Sequence, residues 1–154
     1  MMGASLAIHV VAVVIWVGGM LFAHMILRPA AAALLEPAQR LPLWRRVFNR
    51  FFPLVWACVI LVPVTGIGLT VPFGGFAHSP LYVHIMTGLG IIMVMIFLHV
   101  FFAPFKRLKR CLDNSDIPGA AKQLNQIRTL VGINTIIGFA TIIIATAGRY
   151  YLAG

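Results

Sequence analysis

Four apolar runs, each long enough to cross a bilayer, leave this chain little else to fold into. A spanning helix needs about 20 apolar residues, and stretches at roughly 5–27, 51–71, 82–105 and 130–152 meet that length. Irregular backbone cannot face hydrocarbon, because its polar groups find no partners there. The pattern therefore predicts an all-α membrane protein, a four-transmembrane-helix bundle in which residues 1–154 form a single domain. Only 10% of the residues are charged, against about a quarter in a soluble domain. The N-terminus lacks a basic n-region and a small-residue cleavage site, so the first run reads as a retained helix rather than a signal peptide. Pro53 falls in the first turn expected for the second helix, and Pro63 lies mid-helix, where a kink is expected.

The charge is +9. In a soluble protein that would point to nucleic acid. Here the basic residues sit between apolar runs and read as topology signals and anionic-lipid contacts, with no nucleic-acid partner. Residues 28–50 carry Arg28, Arg40, Arg45, Arg46 and Arg50; residues 106–128 carry Lys106, Arg107, Lys109, Arg110, Lys122 and Arg128. The connection at 72–81 has neither Lys nor Arg, and Arg149 alone lies on that opposite side. The positive-inside rule then puts both basic connections in the cytoplasm. Both termini would be periplasmic if the membrane is a bacterial inner membrane. The three carboxylates, Glu36, Asp113 and Asp116, fall in the basic connections, which weakens a proton-coupled transporter reading. Cys58 and Cys111 are expected at different depths, which argues against a disulfide.

A shift of 75 residues lays the first helix on the third. Leu6 matches Leu81, His9 matches His84, Met20 matches Met95, Phe22 matches Phe97, His24 matches His99 and Pro29 matches Pro104. Apolar matches are cheap in membrane helices; two histidines and a proline at one shift are not. The reading is two parallel helix hairpins, residues 5–72 and 80–152, related by a pseudo-twofold axis along the membrane normal.

Within each repeat the histidines are 15 residues apart, which leaves them about 60° apart around a helix, on one face. Helices one and three run in parallel, so His9 and His84 would form an outer layer, and His24 and His99 an inner one, about 22 Å away. A di-haem cytochrome b needs this arrangement, with each iron taking an imidazole from two opposed helices. His9 with His84, and His24 with His99, are accordingly the candidate iron ligands of two b-type haems. Gly88, one turn below His84, would make room for a porphyrin face; Arg28 and Arg149 would pair with propionates. A single histidine near a helix end is commonly an interfacial residue, but four in matched positions favour ligation. Such a protein would transfer electrons across the bilayer, with quinone or a periplasmic redox protein as partner; neither donor nor acceptor is legible. His78 lies in the outer connection beside Gly74 and Gly75 and reads as a solvated loop residue.

Methionine offers a competing chemistry. Met20 and Met95 each precede a repeat histidine by four residues, and two thioethers with two imidazoles suit Cu(I). Methionine is also a common gap filler. Trp16 fits packing as well as a cofactor contact, and Asn134 reads as an interhelical hydrogen-bond partner.

The stretch from His9 to Ala30, with Trp16 followed by Gly18 and Gly19 and an Arg28-Pro29 exit, resembles the first helix of the CopD (copper-resistance protein D) family. The phrases RVFNRFFPLVW, LYVHIMTGLG and FLHVFFAPFKRLKR resemble the rest of a small stand-alone member. That resemblance implies copper uptake or handling across the inner membrane, with a periplasmic copper-binding partner. A more distant likeness, to the membrane protoporphyrinogen oxidase family, implies haem b and a porphyrinogen oxidase. No carboxylate or lysine at membrane depth offers that reaction a general base, which ranks it third.

Overall fold

The structure is a computed structural model that describes residues 2–151. Its elements are α1 (Met2–Leu21), a π-helical turn (Phe22–Leu27), α2 (Arg28–Leu34), α3 (Pro37–Thr70), α4 (Leu81–Phe102), α5 (Pro104–Asp113) and α6 (Ile117–Tyr151). Two short 3₁₀ turns, Val71–Phe73 and Phe76–His78, link α3 to α4. Together these make four helical spans: Met2–Leu34, Pro37–Phe73, Leu81–Asp113 and Ile117–Tyr151, each long and apolar enough to cross a membrane. The chain is an all-α, multi-pass membrane protein.

The helices run well past the apolar stretches. α3 starts at Pro37, fourteen residues before the apolar run, and α6 starts at Ile117. The basic residues expected in loops therefore lie on helices, and among the described residues, 35–36, 103 and 114–116 interrupt helical structure at that end. Pro53 is consequently an interior helix residue rather than a first-turn one. α3 continues through Pro42, Pro53 and Pro63, which proline permits only by giving up a backbone hydrogen bond at each.

Two other prolines mark breaks. Pro29 has no N–H to offer the preceding turn. The helix answers by widening: the Arg28 N–H donates to the Ala23 carbonyl, five residues back, and Phe22–Leu27 becomes π-helical. Pro104 ends the α4 ladder at Ala103, whose φ of −108° and ψ of −88° are not helical, and then opens α5. On the opposite side, Gly74 at φ +82° and Gly75 at φ +103° supply the left-handed backbone of the short connection.

α1 packs on α3, α4 on α6, and α6 also touches α1 and α3. α6 is thus the central helix. One stripe of it is buried: Ala120, Leu124, Ile127, Asn134 and Gly138. At Gly138 the approach is closest; a Cβ there would stand 2.8 Å from Val17 Cγ2 and 3.3 Å from Met93 Cε. The seam between α3 and the α4–α5 arm is aromatic. Phe52 meets Phe97 edge-on at 5.7 Å and Phe105 at 4.7 Å, and stacks on Phe48 at 5.1 Å. Such pairs add to the burial of the rings themselves.

Candidate functional site

α1 and α6 are antiparallel and in a regular register. Val17 lies at Gly138, Met20 at Asn134, His24 at Gly132, and the Arg28 charge acts on Arg128. Met20 on α1, His24 in the π turn and Arg28 at the start of α2 therefore all face α6.

The centre of this seam is Asn134, 2% exposed. Its Nδ2 points at Met20 Sδ, 3.7 Å away, and donates to the Met93 carbonyl at 3.4 Å. Its Oδ1 is buried and has no hydrogen-bond partner. An unpaired buried carbonyl costs about 1–3 kcal/mol. A cavity of about 20 Å³ opens here, walled by Trp16, Met20, Phe52, Phe97, Val131 and Asn134. That is room for one water or one ion, not for a porphyrin. A thioether and an amide whose oxygen is unpaired thus line a small space at the junction of α1, α3, α4 and α6.

The four repeat histidines have separate surroundings. His9 Nδ1 is 2.9 Å from Thr65 Oγ1, whose hydroxyl in turn donates to the Leu61 carbonyl at 2.6 Å. Gly66 leaves space for the same ring, with a Cβ there only 3.4 Å from His9 Cε1. His84 Nε2 is 3.1 Å from the Ser79 carbonyl, and its ring packs edge-on against Phe76 at 4.5 Å. His24, within the π turn, stands against Gly132, where a Cβ would come within 3.0 Å of the ring. His99 is exposed. Among the described residues, no group of three or more His, Cys, Asp or Glu side chains converges as a metal site.

The remaining candidates divide in the same way. Trp16 is buried and meets Phe97 edge-on at 6.4 Å. Met20 is 3% exposed, whereas its repeat partner Met95 is 62% exposed. Gly88 is exposed, with nothing within 4 Å of a Cβ placed there. Arg149 and His78 are exposed at the end opposite the basic one. Cys58 is buried, Cys111 is half-buried, and both are free.

Sequence reading placed Asn134 among hydrogen-bond partners without placing it at a site. An amide in an apolar span, one turn before Gly138 on the same face, was the available signal. Sequence reading also missed the pairing of Arg128 with Trp44, since the order of residues does not show which helix faces the tryptophan.

No curated protein and no solved structure matches the chain. The sequence profile described as copper resistance protein D matches residues 45–147, from the first third of α3 through most of α6. The first span, with its Trp16-Val17-Gly18-Gly19 segment, lies outside that range. The matched stretch is most of the chain and includes Asn134 but not Met20 and Trp16 on α1: the chain belongs to the copper resistance protein D (CopD) family.

Proposed function

We propose that the protein handles copper within the membrane, holding Cu(I) transiently at the Met20–Asn134 seam and passing it along the α1–α6 interface. The observation that carries this reading is the buried, unpartnered Asn134 Oδ1 beside the Met20 thioether, at a cavity the size of an ion. Family membership supports the choice of metal. Thioether and imidazole are ligands suited to Cu(I), the first more strongly than to harder cations. Copper is the cargo here, not a resident group. The Met20 thioether would bind it, Asn134 Oδ1, a hard donor that Cu(I) does not favour, would give only a polar contact, the rings of Trp16 and Phe97 would keep water out, and His24 would receive it toward the basic end. His9 stands toward the other end, steadied by Thr65. The charge asymmetry supports an orientation with the basic end cytoplasmic and both termini in the periplasm of a bacterial inner membrane. A periplasmic copper carrier is the partner such a path needs.

Copper counting on purified protein, loaded with Cu(I) against a competing chelator, tests this reading. About one copper per chain is expected, lost in Met20→Leu and kept in Met95→Leu, whose residue is exposed. The Met20 exchange conserves volume and should cost under about 1.5 kcal/mol of stability, so lost copper would not reflect unfolding. Equal binding by wild type and Met20→Leu would sink the proposal.

The equal histidine spacing in α1 and α4 favours a second reading, a bis-histidine b-type haem protein that moves electrons. It requires the helices to part, since the cavity in the seam does not hold a porphyrin. The visible spectrum separates the two: a red preparation with about two haems per chain replaces the copper reading, and a colourless copper-binding one removes the haem.

A further inference from the structure

At the basic end, arginines from three helices come together without an anion. Arg28 opens α2, Arg40 lies in the first turn of α3, and Arg128 belongs to α6. Arg28 and Arg40 are near enough to act on the Arg128 charge. The Arg128 guanidinium lies over the Trp44 ring, 5.8 Å from its centroid. Its Nε and Nη2 are buried with no hydrogen-bond partner, and Trp44 Nε1 is buried and unpartnered as well. Three buried donor nitrogens on two adjoining side chains thus have no acceptor. Glu36 is exposed, and among the described residues the ion pair at this end is Arg45 with Asp113, which leaves these three arginines unneutralised.

Desolvated donors on a charged group are costlier than neutral ones, and the neighbouring arginines add like-charge repulsion. The missing component is an oxyanion. A guanidinium presents paired N–H groups that match phosphate oxygens, and Arg40 sits at the start of a long helix, where the backbone dipole also favours negative charge. Basic pockets between spans at the charged end of a bundle are suited to phospholipid headgroups.

We propose that Arg28, Arg40, Arg128 and Trp44 form a binding site for a phosphate oxyanion, supplied by an anionic phospholipid headgroup or by free phosphate. The site is independent of copper binding: it occupies the end of the α1–α6 seam beyond His24 and uses none of the thioethers.

The full-length protein in nanodiscs tests it by thermal unfolding. Three settings are compared: phosphatidylcholine alone, phosphatidylcholine with phosphatidylglycerol, and phosphatidylcholine with inorganic phosphate against chloride at equal ionic strength. Phosphatidylglycerol or inorganic phosphate should raise the wild-type midpoint, and whichever does so identifies the source. Arg128→Gln should abolish the whole shift, whereas Arg107→Gln, an equal charge loss on an exposed residue, should keep it. In phosphatidylcholine alone, Arg128→Gln should match or exceed the wild-type midpoint, because it removes an unpaired, half-buried charge. Should that variant fail to fold, Arg40→Gln replaces it and should reduce the shift. No shift with either anion, or a shift that survives in the Arg128 and Arg40 variants, overturns the proposal.

Discussion

The two ends of the bundle are built differently. Toward the basic end the helices are close-packed: Leu108, Ala120 and Ile127 are completely sealed, and Leu41, Trp44, Phe105 and Leu124 nearly so. Toward the other end, past Ala12 on α1, Cys58 on α3, Met93 on α4 and Gly138 on α6, the buried side chains among the described residues are Thr65, Thr70 and Ser79, all hydroxyls. Lipid is as apolar as leucine, so the hydrophobic effect does not draw helices together inside the bilayer. The closed end is held by interlocked aromatic rings and by helices that continue beyond the apolar runs. At the open end His9 meets Thr65 across helices, the Thr70 and Ser79 hydroxyls bond back to their own segments, and the hydrophobic side chains that pack there, Val59, Val62 and Ile142, are only partly buried. Proteins open first where buried contacts are few. On the copper reading proposed above, the hydroxyl-lined end is where the helices would part to admit cargo, with the aromatic end as the fixed frame.

The sharpest way to break this contrast is to remove a ring from the frame. Phe52→Ala deletes the hub of the aromatic seam and should cost about 3–5 kcal/mol. Phe73→Ala, in the exposed outer connection, should stay within about 0.5 kcal/mol. Denaturant unfolding of both in one detergent measures the difference, and comparable losses would mean that the ends are equally packed.

A smaller effect is expected at the boundary between the halves. Gly138→Ala gains helix propensity, but its methyl group would press on the buried Val17. Overpacking of this kind costs about 1–3 kcal/mol. A midpoint at or above wild type would show that α1 can move away from α6 without loss, and would put Val17 in the loose half.

The smallest concerns the ion pair of Arg45 with Asp113 at 2.6 Å, which joins α3 to α5 across partly exposed side chains. Asp113→Asn should cost under about 1 kcal/mol, less at high salt. A larger loss would make the frame electrostatic rather than aromatic.

Four spans and an all-helical architecture were legible because hydrocarbon permits almost nothing else. Helix length was not legible. The basic stretches look like loops by composition, yet Arg45, Arg107 and Lys122 sit on helices that continue out of the apolar runs and pack against each other there. The candidate site was half legible. Met20 and His24 stood out by chemistry and spacing, but their repeat counterparts Met95 and His99 are exposed. Apolar residues on every side give the sequence no signal of which face a membrane helix turns inward. Asn134 becomes part of a site only once α6 lies between α1 and α4.

The π turn at Phe22–Leu27 has a consequence for heredity as much as for geometry. Its one surplus residue is absorbed by the wider turn, so α2 leaves it in the phase of an ordinary helix one residue shorter. Losing one of Met25, Ile26 or Leu27 would therefore restore ordinary pitch and keep His24 against Gly132 and Arg28 near Arg128. Adding one residue at the same place, with no further widening, would swing Arg28 by about 100° while Met20 and His24, upstream, kept their places. A one-codon insertion would thus uncouple the proposed anion site from the proposed copper seam, and a one-codon deletion would not.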